Sequence, residues 1–106
     1  MNLKPEYIEL GGRKLRVEVN WNAICEFTEI TGIEFNDFCQ QAIDKKASPT
    51  SIRSLIYVSI KEGERMDGHE FTISELDLGA DIRPGAVFKF IEIFTRQWND
   101  AKKKTD

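Results

Sequence analysis

The residues of this chain that could do chemistry are few and far apart. His69 is the only histidine, and the two cysteines are Cys25 and Cys39. A structural zinc site needs about four Cys or His ligands at short spacings, and these three residues are scattered. A nucleophilic pair of Cys25 and His69 is conceivable, but no local motif supports it. We therefore predict no metal site and no cofactor site.

Two pairs of carboxylates could act as an acid and a base. Asp77 and Asp81 lie on either side of Gly79, and Glu26 and Glu29 fall on a predicted helix. Acid–base roles require burial that shifts a pKa, and solvated helix faces are the simpler interpretation. The chain has neither a phosphate-binding loop nor a dinucleotide-binding fingerprint. No catalytic residue is predicted, and we expect that the protein is not an enzyme.

Composition predicts one small domain that spans residues 1–106. The chain is 41% hydrophobic and 31% charged, with a formal net charge of -3, which does not favour nucleic acid or an anionic membrane. No apolar run approaches the roughly 20 residues of a membrane span, and the first residues lack the apolar core of a signal peptide. We expect a cytoplasmic protein whose cysteines are reduced, buried and metal-free.

The elements that must position these residues begin with a β-hairpin over residues 6–19. Leu15, Val17 and Val19 alternate with charged residues, as on a half-buried strand. Gly11 and Gly12 supply the positive φ that a tight hairpin turn requires. The pattern then changes to a helical period, which predicts a helical part over 20–103 and a disordered tail at 104–106. The predicted fold class is α+β, a mainly helical domain with four to five helices after the hairpin.

The first two helices are predicted from their ends. Asn20 or Asn22 caps the first, and Gly32 ends it in the left-handed conformation. Its core-facing stripe is predicted to contain Trp21, Ile24, Cys25 and Thr28. A second helix is predicted from Asn36, with one apolar side formed by Phe38, Cys39, Ala42 and Ile43.

The next two helices are predicted from Ser48 to Gly79. Ser48 and Pro49 start a largely buried helix, and its β-branched run could instead form a strand. An irregular segment is predicted from Gly63. Thr72 and Glu75 then form a predicted capping box before a short helix that Gly79 ends.

The last helix follows Pro84 and carries a wide apolar surface. Its central stripe should be core, and its margins are Phe88 and Ile93; together they span roughly 220°, whereas a helix packed on one side needs about 100°. We assign Phe88 and Ile93 to contact with a partner protein or a second copy of the chain. Alternatively, the hairpin or the predicted helix that starts at Ser48 covers both margins internally. The predicted stripe consists of Val87, Phe90, Ile91, Phe94 and Trp98.

The order of these segments resembles the tail assembly chaperones of long-tailed phages and prophages. The resemblance lies in a "GGRKLRV" hairpin, the helix "NWNAICEFTEITG", a loop, the helix "SIRSLIYVSI" and a closing helix. After Gly63 it extends only to the order of the helices. The matching positions are Asn22, Ala23, Ile24, Cys25, Glu26, Phe27, Thr31, Gly32, Ile52, Arg53, Leu55, Ile56 and Tyr57.

The resemblance implies a non-enzymatic function. Such chaperones coat the long, mostly helical tape measure protein and help to recruit tail tube subunits, so these two proteins are the expected partners, with a homo-oligomer as a further possibility. A surplus of apolar helix surface suits the masking of another protein's hydrophobic segments. The alternative function is a small regulatory domain that acts on nucleic acid, which a basic surface cluster and salt-dependent DNA binding would reveal.

Overall fold

The computed structural model describes the backbone of residues 4–104 and the side chains of residues 4–98. Strands β1 (Glu6–Leu10) and β2 (Arg13–Val17) form an antiparallel hairpin in which Ile8 faces Leu15. Gly11 and Gly12 have φ angles of 57° and 77°. Both central turn residues therefore adopt the positive φ of a two-residue hairpin turn, as predicted.

One face of the hairpin is buried and the other is polar. The buried face consists of Ile8, Leu10, Leu15 and Val17, because side chains alternate along each strand. On the opposite face Tyr7 and Arg16 both hydrogen-bond to the carboxylate of Asp67. The polar face is thereby tied to the helical part of the chain.

Helix α1 (Trp21–Thr31) begins and ends as predicted. The side chain of Asn20 accepts a hydrogen bond from the backbone N–H of Ala23, and Gly32 follows in the left-handed conformation. Helix α2 (Phe35–Ile43) starts one residue before the predicted Asn36. On its predicted apolar side Phe38 is buried and Cys39 is half-buried, whereas Ala42 is exposed and Ile43 at the last turn is 73% exposed.

Helix α3 (Pro49–Met66) is longer than predicted. Ser48 caps it by accepting from the backbone N–H of Ser51, and Pro49 occupies the first turn. The prediction that the helix gives way to an irregular segment at Gly63 is wrong. Gly63 is buried where α3 crosses β2, and a Cβ atom there would overlap the carbonyl oxygen of Arg16. This glycine permits close packing and does not end the helix.

Helix α4 (Glu75–Gly79) is a single short turn whose cap differs from the prediction. Ser74 provides the cap, accepting from the backbone N–H of Asp77. The predicted capping box of Thr72 and Glu75 is wrong, because the Glu75 carboxylate instead accepts from Arg53 and Ser54 on α3. Glu75 therefore joins two helices.

Helix α5 (Pro84–Lys104) is the longest element. Its Gln97 extends the hairpin: the side-chain amide donates to the carbonyl oxygen of Val17 and accepts from the N–H of Val19, at 2.9 and 2.7 Å. Lys104 is helical, although the tail was predicted to begin there, and residues 105 and 106 of that tail lie outside the described residues. No helix in the described part of the chain is long and apolar enough to cross a membrane.

The core joins the buried face of the hairpin to the helices. Phe27 and Phe38 pack edge to face with ring centroids 5.1 Å apart, and Phe35 contacts Trp98 of α5 at 5.2 Å. A hairpin followed by five helices within residues 4–104 confirms the predicted α+β, mainly helical fold.

Two predicted core positions on α1 are surface positions. Trp21 is 71% exposed and Cys25 is also exposed. The buried face of α1 instead consists of Ala23, Ile24 and Phe27. The predicted stripe is confirmed at Ile24 and is wrong at Trp21 and Cys25.

The two margins of α5 have opposite environments. Phe88 is exposed, but Ile93 is only 1% exposed and belongs to the core. Since α5 packs against β1, the alternative of internal cover applies to Ile93, and its assignment to a partner surface is wrong. Ile91, which was predicted to be core, is 46% exposed.

Candidate functional site

His69, the only histidine, contacts a carboxylate. Its Nδ1 lies 3.0 Å from Oε1 of Glu64, which is buried at the end of α3. The second oxygen of Glu64 accepts from the backbone N–H of Arg16 on β2. Within the described residues no hydrogen bond joins His69 to Cys25. The structure therefore places His69 at a junction of the hairpin and α3.

The cysteines lie on different helices, Cys25 on α1 and Cys39 on α2. Cys25 is exposed, and Cys39 is half-buried against the core. The described residues contain no group of three or more His, Cys, Asp or Glu side chains that could hold a metal ion.

In each of the two candidate carboxylate pairs, one carboxylate forms an ion pair with a described residue and the other does not. Glu26 lies 2.6 Å from the Lys61 ammonium, and Asp81 lies 3.5 Å from the Arg13 guanidinium. Glu29 and Asp77 are exposed. Within each pair, one carboxylate is thus held by a cation of another element while the other faces solvent.

The most perturbed carboxylate is Glu62, which sequence reasoning did not single out. Its two hydrogen bonds to the Arg65 guanidinium lower its pKa from 4.5 to about 2, with further lowering by the amides of Asn20 and Asn22. The hydrogen bonds from Asn20 and Asn22 to Glu62 hold the start of α1 against α3. Glu62 is therefore a structural carboxylate, and a low pKa keeps it charged at neutral pH.

Most arginines are already neutralised by carboxylates. Among the described residues five of the six arginine side chains form ion pairs, and only Arg83 does not; the paired set is Arg13, Arg16, Arg53, Arg65 and Arg96. A nucleic-acid surface needs cations that are available to phosphates. These five guanidinium groups are thus paired with carboxylates of the protein itself.

A concave apolar surface lies where α3, α4 and α5 meet. It encloses a cavity of about 460 Å³ beneath Phe88. Two prolines and a glycine contribute to it, since they bring the chain close without large side chains. The lining residues are Pro49, Ile52, Arg53, Ile56, Gly79, Ile82, Arg83, Pro84, Val87 and Phe88.

A second cavity, also of about 460 Å³, adjoins the first along α5. Ile52 lines both cavities, and α2 forms the far wall of the second. We call the two cavities together the apolar groove. The second cavity is lined by Phe38, Ala42, Ile43, Lys45, Ala47, Ile52, Leu55, Phe90, Ile91, Phe94 and Thr95.

The rim of the groove carries large apolar side chains in contact with solvent. Phe88 is 70% exposed, and Ile43 and Ile91 are also exposed. From Pro84 to Thr95 the groove follows α5 for about 17 Å, at about 1.5 Å per residue. A continuous exposed apolar surface on a small protein is typical of an interaction site.

Charged residues of the groove are all cationic. Arg53, Arg83 and Lys45 line it, and no carboxylate does so in the described part of the chain. Arg53 is paired with Glu75 at 2.9 Å, whereas Arg83 donates to the carbonyl oxygen of Ala80. Arg83 in the first cavity and Lys45 in the second therefore keep positive charges that no carboxylate of the described residues pairs with.

Sequence reasoning found one of the three exposed apolar residues of this site. Phe88 is predicted as an interaction residue, whereas Ile91 is predicted to be core and Ile43 to lie on the apolar side of the second helix. A signal for Ile43 was present: it is the last residue of α2 and is followed by the polar segment that contains Lys45 and Lys46. For Ile91 the helical period alone gave no signal, because it lies among core residues.

Comparisons with known protein families, with curated proteins and with solved structures find no match to this chain.

Proposed function

We propose that this protein is a non-enzymatic tail assembly chaperone of a long-tailed phage or prophage. It binds the tape measure protein and helps to recruit tail tube subunits in the cytoplasm of the host bacterium. The family itself comes from the resemblance of the segment order and of the "NWNAICEFTEITG" and "SIRSLIYVSI" helices.

The single observation that supports a binding function is the apolar groove. Phe88, Ile43 and Ile91 contact solvent around a concave surface that runs for about 17 Å along α5. An amphipathic helix bound in such a groove buries its apolar face, and the groove recognises it through apolar side chains three and four residues apart. A chaperone of the tape measure protein would have to cover the apolar faces of its helices in this way.

Co-expression tests this proposal. The longest tail protein encoded beside this chain should become more soluble when both are produced together, and it should co-purify with this protein through a tag on either partner. An unrelated acidic domain of similar size serves as the control for non-specific effects on expression. The proposal is contradicted when the tail protein is equally soluble alone and leaves the column without this chain.

A further inference from the structure

The charges that line the apolar groove differ in sign from the protein as a whole. The chain has a formal net charge of -3. The groove nevertheless has Arg83 in its first cavity and Lys45 in its second, and neither forms an ion pair with a carboxylate of the described residues. Asp44 and Glu92, which are close in sequence, are not among the lining residues. The groove is thus a locally cationic apolar surface on an acidic protein.

A second copy of the chain is a poor occupant for such a surface. In a two-fold symmetric dimer the same patch meets itself, so the cationic residues of two grooves would be brought together. Like charges facing each other across an interface oppose association. The favoured occupant therefore carries negative charge beside its apolar face.

The dimensions of the groove favour one helix. A length of about 17 Å corresponds to about 12 helical residues, or three turns. Three exposed apolar side chains surround the groove, and an apolar stripe at i, i+3, i+4 and i+7 would pack between them. Acidic residues beside that stripe could pair with Arg83 in the first cavity and with Lys45 in the second.

We infer that the apolar groove binds an amphipathic helix whose apolar stripe is flanked by Asp or Glu. The inference rests on the proposed function for the identity of the protein that carries this helix, which is the tape measure protein. The chemistry of recognition comes from Lys45, Arg83 and the apolar residues between them. It predicts that acidic-flanked helical segments of that protein are bound in preference to basic-flanked ones.

Two synthetic peptides of about 18 residues test the inference, since shorter helices are marginal in water. Both carry a Leu stripe at helical spacing; one has Glu on its flanks and the other has Lys at the same positions. Fluorescence anisotropy of labelled peptides at low salt should show about tenfold tighter binding of the Glu peptide, as a few exposed ion pairs supply. The preference should shrink at high salt.

Variants test whether the groove causes the preference for the Glu peptide. The double change Lys45→Glu with Arg83→Glu should abolish or reverse the preference, whereas Lys14→Glu on the hairpin, which alters the net charge away from the groove, should retain it. Phe88→Asp should weaken binding of both peptides. Circular dichroism and melting of each variant confirm that it is folded. Equal binding of the two peptides, no binding of either, or an unchanged preference in the double variant would overturn the inference.

The remaining outcomes separate this inference from the proposed function. Sedimentation measurements could instead show that the protein forms a dimer and that Phe88→Asp abolishes it. That result would overturn the inference, because the groove would then bind a second copy of the chain. Peptide preference without capture of the tail protein would support the inference and contradict the proposed function. Capture of the tail protein with no peptide preference would contradict the inference alone.

Discussion

Gly63 of α3 lies directly against the backbone carbonyl of Arg16 on β2. A methyl group on Gly63 would overlap that oxygen. On either side of the crossing, Glu64 accepts from the N–H of Arg16 and the carbonyl of Ser59 accepts from the N–H of Glu18. The outer edge of β2 is thereby satisfied by a helix, which protects an edge strand from pairing with other chains.

Replacing Gly63 with Ala should destabilise the protein, even though Ala favours helices. The added methyl must push α3 away from β2, and overpacking of this kind costs about 1–3 kcal/mol. Gly85→Ala is the matched control, because Gly85 is also helical and has no atom near its Cβ position; it should stabilise by about 0.5–1 kcal/mol. Urea denaturation of both variants checks this. An unchanged free energy of unfolding for Gly63→Ala would contradict the close crossing.

Glu62 should make the protein sensitive to acid. Its pKa in the folded state is about 2, against 4.5 for the ordinary side chain. Because the folded pKa is lowered, the stabilisation is complete above about pH 4.5 and is lost as the pH falls towards about 2. Glu62→Gln should lower the free energy of unfolding by on the order of 2 kcal/mol at neutral pH and by much less at about pH 2.

The control for this change is Glu29→Gln on the exposed face of α1, where the described residues provide no ion pair. It removes the same charge and should leave the free energy of unfolding within about 0.5 kcal/mol of the wild type. Denaturation with urea at several pH values compares the two variants. Identical pH profiles for Glu62→Gln and the wild type would show that the Arg65 contact does not hold the carboxylate.

Cys25 should react with a thiol reagent in the folded protein. It is exposed on α1, whereas Cys39 is half-buried, and access is one determinant of thiol reactivity. We expect one thiol to be modified at least about tenfold faster than the other, and Cys25→Ser to remove the fast phase. Cys25→Ser should also leave stability nearly unchanged. Equal rates for both thiols, or stoichiometric zinc in the purified protein, would contradict this assignment.

Ile93 and Ile91 provide a matched pair on one helix. Ile93→Asp should cost about 4 kcal/mol or more and leave the protein largely unfolded, because it buries a charge without a partner. Ile91→Asp changes the same residue type two positions away, at a half-exposed site, and should cost about 1 kcal/mol. Thermal melts followed by circular dichroism distinguish them. Similar melting temperatures for the two variants would be inconsistent with the burial of Ile93.

The ends of the elements could be predicted from the sequence because they depend on local backbone chemistry. Asn20, Ser48 and Gly32 act within a few residues of their own positions, and so do Gly11 and Gly12 of the hairpin turn. Gly63 could not be interpreted in this way, since its role depends on Arg16, which lies far away in the sequence. The absence of a Cβ atom allows Gly32 to adopt the left-handed conformation that ends α1. At Gly63 the same absence allows α3 to cross β2 closely.

The faces of the last helix could be predicted only in part for a similar reason. The helical period places Ile91 in the stripe and Ile93 at its margin, but the hairpin approaches α5 from the side of Ile93. A period shows how wide an apolar surface is, whereas the tertiary packing decides which part of it is covered. The groove needs α2, α3 and α5 together, and no single segment of the sequence reveals it.

We propose that this protein holds the tape measure protein in the apolar groove. Phe88→Asp tests it beside Leu76→Asp, because Leu76 on α4 is exposed to nearly the same extent, 72% against 70%, and does not line the groove. Both variants should melt at nearly the temperature of the wild type, since neither side chain belongs to the core. Each is co-expressed with the neighbouring tail protein and purified through its tag. Phe88→Asp should lose the tail protein while Leu76→Asp retains it; equal capture by the two variants would show that the groove does not hold the tail protein.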